Sequence, residues 1–315
     1  MRGGPSGLPG GPPHWQARHM RVALVVNPFA TRVTEERVAE VRAELERVAD
    51  LDVLLTERPG HATELVTRAS RGGADAVVVF SGDGGFNEAL NGLERDMPIG
   101  FLPGGGASVL SRALGLPRDP VAAASQVADA LAAGRSRRIS LGRVNGMRFS
   151  FAAGIGLPAE AVRRVDSLGR SGDGRRSGDL AFAWAIVRAL AERRGRLEPQ
   201  LEIEGYGRAA AAFVANGSPY TYAGPLPLPI ARDAEFDRGL DLIAPVEVAP
   251  LALPSVAARV LSGHAHDRRF VREHDLDRIE IRCDVPLPLH ADGEDLGDVE
   301  QALFEAERDA VSVLA

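Results

Sequence analysis

From Met20 onward, short apolar runs alternate with stretches whose apolar residues recur at helical spacing. Arg21–Asn27 (RVALVVN) is an almost unbroken apolar run, the pattern of a strand covered on both faces. Glu35–Ala49 has apolar positions at helical intervals, and Leu51–Leu55 is a second strand. A helix over His61–Arg71, a strand over Ala76–Phe80 and a short helix over Phe86–Leu93 follow. Ile99–Leu102 reads as a fourth strand, and Ala107–Gly115 and Val121–Ala133 as two more helices, the second closed by Gly134. Strands alternating with helices predict βαβ units and a parallel sheet.

After Arg135 the texture changes. Short strand-like runs at Arg138–Val144, Met147–Ala153, Leu201–Glu204, Ala210–Ala215, Leu240–Ala244 and Arg278–Cys283 are separated by turn residues. They predict an antiparallel, sandwich-like second domain. A helical stretch over Gly178–Arg194 interrupts it, and Val299–Ala310 reads as a final helix. The expected class is α/β: a parallel-sheet domain followed by an antiparallel β-sandwich domain. No internal repeat is evident.

Composition narrows the chemistry. The chain has 315 residues, 45% of them hydrophobic, enough for one large or two medium cores. Its net charge of -6, with no basic stripe, argues against a nucleic-acid partner. There is no lysine, so a Walker-type phosphate loop is excluded; phosphate would have to be held by backbone N–H groups, arginine and metal. The single cysteine, Cys283, excludes an internal disulfide and suits a reducing, cytoplasmic setting. Residues 1–19 are rich in Gly and Pro and lack the apolar stretch of a signal peptide, so they read as a disordered leader. No apolar run reaches the ~20 residues that a membrane span needs.

Ligands of open parallel sheets bind beyond the carboxyl ends of the strands. Three loops fall there: Asn27-Pro28-Phe29-Ala30-Thr31, Ser81–Glu88, and Pro103-Gly104-Gly105-Gly106-Ala107-Ser108. Each leads towards a helix, whose free N–H groups and dipole favour anions. A lone glycine loop is usually a tight turn, but three at one edge suggest a nucleotide phosphate site. Asp83, between two glycines, is suited to meet Mg²⁺ or a reacting hydroxyl; the plainer reading is a turn-forming aspartate that caps a helix. Asn87 and Glu88 in the first helical turn have the same plain reading. Asp292-Gly293-Glu294, taken alone, is an ordinary β-turn.

The run SGDGGFNEALNG resembles the GGDGT-x-NE-x-x-NG signature of the diacylglycerol, sphingosine and ceramide kinase-like family. NPFAT is similar to that family's NP-x-x-G loop, and TERPGHATELV, from Thr56, to its T-x-x-x-G-x-A segment. LPGGGASVLSRALGLP resembles LP-x-GT-x-N-x-x-AR-x-LG-x-P. Downstream, AAGIGLPAEAV, the segment ending ARDAEFDRGLDL, and ADGE at Ala291–Glu294 are similar to the family's G-x-G-F-D-A-x-V, A-x-x-DDG-x-L-D and DGE motifs. The matches run in order over nearly all of residues 20–305.

The resemblance implies an α/β nucleotide-binding domain over residues 20–135, a β-sandwich lipid-substrate domain over 136–298, and a return of about 299–315 to the first. It implies an ATP-dependent kinase that phosphorylates a hydroxyl of diacylglycerol or a related lipid, with Mg²⁺. Nucleotide contacts would come from Asn27, Pro28, Phe29, Ala30, Thr31, Thr56, Gly82, Asp83, Gly84, Gly85, Phe86, Asn87, Glu88, Gly104, Gly105, Gly106 and Ser108. Asp83, Asp292 and Glu294 would be catalytic, one of the last two taking the proton from the lipid hydroxyl.

Departures from the pattern have consequences. Gly85 stands where the signature has threonine, Gly106 and Ser108 replace the threonine and asparagine of GT-x-N, Pro158 replaces an aspartate, and Thr31 replaces a glycine. Each lost hydrogen bond to a charged group would weaken binding by about 1.5–3 kcal/mol. Arg238 stands where an aspartate is expected, so a structural Mg²⁺ would fall to Asp237 or Asp241. Two alternatives stand beside the lipid kinase: another small-molecule kinase of the NAD kinase superfamily, and a non-catalytic nucleotide- or lipid-binding regulator.

Access to lipid draws attention to residues 163–196, where arginines flank an apolar stretch. Phe182, Trp184 and Ile186 read as core contacts, and Asp166–Arg176 as a lid that could touch an anionic inner-membrane surface. His264 and His266 form an isolated H-x-H, and His290 lies near enough to Asp292 to tune it. A homodimer is compatible with the pattern, although no residue demands one.

Overall fold

The computed structural model describes residues 20–106, 108–167, 188–189, 192–194, 196–218, 221–223, 226–228, 230–247 and 269–315. The proposed lid beyond Ser167, Phe182, Trp184, Ile186, His264 and His266 lie outside the described residues, as does most of the helix read over 178–194.

The first part follows the predicted alternation. It runs β1 (Met20–Val26), α1 (Glu35–Glu46), β2 (Ala49–Leu55), α2 (His61–Arg71), β3 (Ala76–Ser81), α3 (Asp83–Asn91), β4 (Ile99–Pro103), α4 (Val109–Ala113) and α5 (Pro120–Ala132). Strands β1 to β4 pair in parallel in the order β4-β3-β1-β2. Their Val-rich runs are buried on both faces. Val25, Val77, Val79, Ile99 and Phe101 pack on one side with α2, α3 and α4. Val22, Leu24, Val78, Phe80 and Leu102 pack on the other with α1 and α5. Each fully buried side chain of this size contributes about 1.5–3 kcal/mol. Capping fixes the helix starts: Asp119 accepts from Val121 N and Ala122 N at 3.1 and 3.0 Å, with Pro120 opening α5.

Antiparallel strands follow. They are β5 (Arg137–Val144), β6 (Met147–Phe149), β7 (Ala152–Ile155), then α6 (Leu157–Ser167), β8 (Leu201–Ile203), β9 (Gly207–Ala209), β10 (Ala212–Ala215), β11 (Thr221–Ala223), β12 (Leu226–Leu228), β13 (Leu240–Pro245), β14 (Phe270–Leu276), β15 (Arg278–Ala291) and β16 (Glu294–Leu314). All but β11 and β12 join the parallel strands in one sheet whose main path runs β14-β13-β10-β7-β15-β16-β4-β3-β1-β2.

The helix expected over Val299–Ala310 is instead part of the 21-residue strand β16. Its apolar residues fall at both helical and alternating intervals, and pairing decides between them. The strand lies antiparallel to β15 through Glu294–Glu305 and to β5 through Phe304–Val313. It ends parallel to β4, with Val313 beside Ile99 and Leu314 beside Gly100. Ala302 and Phe304 are buried, as a period of two requires. The chain end therefore does return to the parallel strands, but as a strand.

Candidate functional site

The three loops meet. Gly104 N donates to Ser81 O at 2.7 Å and Arg32 N donates to Gly104 O at 2.9 Å. Gly82 and Gly105 lie so close that a Cβ on Gly105 would stand 2.9 Å from Gly82 Cα. Only glycine permits this approach of two backbones. Asn27 fixes the first loop: its N donates to Phe80 O at 3.0 Å and its Oδ1 accepts from Phe29 N at 3.0 Å. The turn leaves Phe29 exposed. Thr56 is buried at the end of β2, where its N donates to Val26 O.

Asp83, half-buried at the start of α3, accepts from Leu110 N at 3.0 Å and so ties the second loop to the start of α4. Burial pushes its carboxyl up from the ordinary range, the N–H groups of Leu110 and Val109 pull it down, and the charge of Asp292 pushes it further up. Ser108, which opens α4, adopts the left-handed conformation at φ 46° and turns its Oγ onto Gly105 O. An asparagine would tolerate this conformation better than serine does.

The second half of the site arrives from far along the chain. Ala291 pairs with Glu294, and Asp292 (φ 48°) and Gly293 (φ 80°) form the two-residue turn of the β15–β16 hairpin. Both central residues have positive φ, as a type I′ turn requires, and Asp-Gly suits it. Asp292 Oδ2 accepts from Ser150 N and Oγ at 2.6 and 2.8 Å, while Oδ1 accepts from Phe151 N and Ala152 N at 2.8 and 3.2 Å. Burial pushes this carboxyl up, and the four donors oppose that shift. A carboxylate with four donors has its lone pairs occupied, so Asp292 anchors the hairpin to the segment between β6 and β7. Glu294 lies at the hairpin's other side, with Oε1 3.0 Å from the point where a Cβ on Gly84 would stand. The DGE carboxylate and the glycine loop, over 200 residues apart in sequence, are thus in contact.

Several of the expected contact residues are engaged within the chain. Phe86 is fully buried and packs edge-on against Phe101 at 5.1 Å, so it belongs to the core beneath the loop and does not line the site. Asn87 is buried and its Oδ1 accepts from Asn91, which also bonds Arg148 N and O. Glu88 Oε2 accepts from Ala62 N at 3.1 Å, holding the start of α2. These motif residues lock α3 to its neighbours. Asp237 is exposed, while Asp241 is buried and bonded to His274 Nδ1 at 2.9 Å and to Asp275 N at 3.2 Å. Arg308 engages both Asp275 and Asp277 nearby at 2.8 and 2.7 Å. Among the described residues no group of three or more His, Cys, Asp or Glu side chains is placed to hold a metal.

Sequence reasoning missed Ser150, the double donor to Asp292, for which no motif gave a signal. It also missed Arg148, whose guanidinium binds Leu90 O, Leu93 O and Glu307 and joins α3 to the antiparallel strands. His290, expected to tune Asp292, faces instead towards Gly154, Pro158 and the Phe213 ring.

Comparison with known proteins agrees with this geometry. Residues 21–144 match the diacylglycerol kinase catalytic domain, a stretch that contains all three loops. The chain is thus similar to the diacylglycerol kinase-like lipid kinases over its first half. It is 26% identical to the diacylglycerol kinase of Bacillus subtilis over 281 residues, covering 87% of this chain and 89% of that one. It is 36% identical to human sphingosine kinase 1 over 118 residues, 33% of this chain and 30% of the other. A crystal structure of a diacylglycerol kinase from Bacillus anthracis superposes with a TM-score of 0.71 at 21% identity, over 95% of this chain and 98% of that one, which establishes the shared fold.

Proposed function

We propose that this protein transfers the γ-phosphate of ATP to a hydroxyl of diacylglycerol or a related lipid. The observation that carries the reading is the approach of Glu294 to Gly84, which brings a carboxylate from the distal hairpin onto the glycine loop. Residues 20–135 and 299–315 form the nucleotide-holding part, and 136–298 the lipid-holding part. The phosphates lie against the N–H groups of loops 82–85 and 104–106, which no side chain obstructs at Gly84 or Gly106 beyond the Glu294 carboxylate.

Glu294 is the general base. Asp292 spends its oxygens on four donors and positions the hairpin, so the proton of the lipid hydroxyl passes to Glu294 as that oxygen attacks the γ-phosphorus. Mg²⁺ usually needs one or two protein carboxylates beside the phosphates; Asp83 would be the carboxylate to hold it, and the ion would neutralise phosphoryl charge. Asp83 also keeps the two phosphate loops in register through Leu110 N.

The test is transfer from γ-labelled ATP with Mg²⁺ in mixed micelles of diacylglycerol, sphingosine, ceramide or monoacylglycerol. A labelled lipid that disappears with Glu294→Ala supports the reading. ATP binding without transfer to any lipid would indicate a non-catalytic regulator. Among the described residues no helix is long and apolar enough to cross a membrane.

A further inference from the structure

The glycine loop carries a hydroxyl in an unexpected place. Ser81 ends β3, one residue before the loop, and is 1% exposed. Its Oγ has no hydrogen-bond partner in the chain. A buried hydroxyl without a partner is costly, and natural proteins rarely leave one unless a ligand completes it. The direction of this hydroxyl is informative. A Cβ built on Gly85 would overlap Ser81 Oγ and stand 2.8 Å from Ser81 Cβ. Ser81 therefore fills the space that a side chain at position 85 would occupy, beside the first turn of α3, whose free N–H groups face the phosphate loop. Serine at 81 and a side chain at 85 compete for one volume.

We propose that Ser81 and Gly85 are an exchanged pair, in which the hydroxyl on the strand below replaces one on the loop and donates to a phosphate oxygen of the bound nucleotide. Resting on the kinase reading, this makes the glycine at 85 the steric complement of Ser81. A threonine hydroxyl at 85 would lie one C–O bond from a Cβ that already overlaps Ser81 Oγ. The two hydroxyl positions are thus within a bond length or two of each other.

The test is a set of variants measured for thermal unfolding, for binding of MgATP by calorimetry, and for phosphate transfer. Ser81→Ala keeps most of the volume and should weaken MgATP binding about tenfold or more, the worth of one hydrogen bond to a charged group, with the unfolding temperature unchanged or raised. Gly85→Thr alone should lower the unfolding temperature and weaken binding, because both side chains claim one space. The double variant Ser81→Gly/Gly85→Thr should recover both properties to within about threefold of wild type in affinity. Ser81→Gly/Gly85→Ala should recover stability but not affinity, which separates the hydroxyl from its volume. Unchanged MgATP affinity in Ser81→Ala, or equal recovery by the two double variants, would overturn the proposal. A wild type that binds MgATP but phosphorylates no lipid would sink the functional reading and leave the exchanged pair standing. A wild type that binds no MgATP would overturn both.

Discussion

The proposed phosphate loops and the hairpin tip are opposite solutions to building one candidate site. The loops at 82–85 and 104–106 contribute backbone: Gly82 and Gly105 touch, and Gly84 and Gly106 present no side chain. The hairpin contributes side chains: Asp292 is fixed by four donors, and Glu294 projects beyond it. A loop that must cradle an anion works best with N–H groups and no Cβ, whereas a base must be a carboxylate held from behind. The first half is set by local sequence at the end of a parallel strand. The second depends on β16 crossing from the antiparallel strands to β4. Each half can be damaged separately.

The largest expected effect is on the hairpin. Glu294→Gln should lower the rate of phosphate transfer by about 10²–10⁴, the usual worth of a general base, with MgATP affinity changed by no more than a few-fold. An equal loss of affinity and rate would show that Glu294 serves binding instead. The hairpin also carries an acid sensitivity that the loops lack. His290 is fully buried on β15, and burial lowers its pKa from 6.5 to about 4 despite the nearby charge of Asp295. The unfolded chain then binds more protons than the folded chain between these values. The contribution of His290 to stability therefore rises with pH from about 4 to 6.5, is fully present above, and is lost as pH falls through that window. The shift corresponds to about 3 kcal/mol. Urea unfolding of His290→Leu should lack that slope; the same slope in the variant would assign it to other groups.

A smaller effect belongs to the loops. Gly105→Ala should cost about 1–3 kcal/mol, as overpacking does, because its Cβ meets Gly82 backbone that cannot rotate away. MgATP affinity should fall with it, and a stable variant with normal affinity would mean that the loops are not closely apposed. Least of all, Glu94→Gln should leave the unfolding temperature and the rate unchanged. It removes an exposed ion pair with Arg71 remote from both halves, and such pairs contribute little.

The parallel strands were legible because burial on both faces leaves unbroken runs such as Val22–Val26 and Val77–Phe80. The glycine loops were legible for the same local reason. The motif did not disclose how its residues divide. Phe86 and Asn87 face inward on α3, while Asp83 and Gly84 stay at the rim, and only a helix seated on β3 makes that distinction. Strand β16 was misread because Val299, Ala302, Leu303, Ala306 and Ala310 also fit a helix, and partners from β15 and β5 override that spacing. Helix α6 was passed over, although Gly156 and Pro158 mark its start. The role of Asp292 was beyond reach, since its donors, Ser150 to Ala152, are about 140 residues away.

The most direct test of the joined site is a crystal structure with Mg²⁺ and a non-hydrolysable ATP analogue. The account predicts the γ-phosphate between the N–H groups of loops 82–85 and 104–106 and the Glu294 carboxylate, with Asp292 still bound to Ser150–Ala152. A nucleotide bound elsewhere, or a γ-phosphate turned away from Glu294, would contradict it.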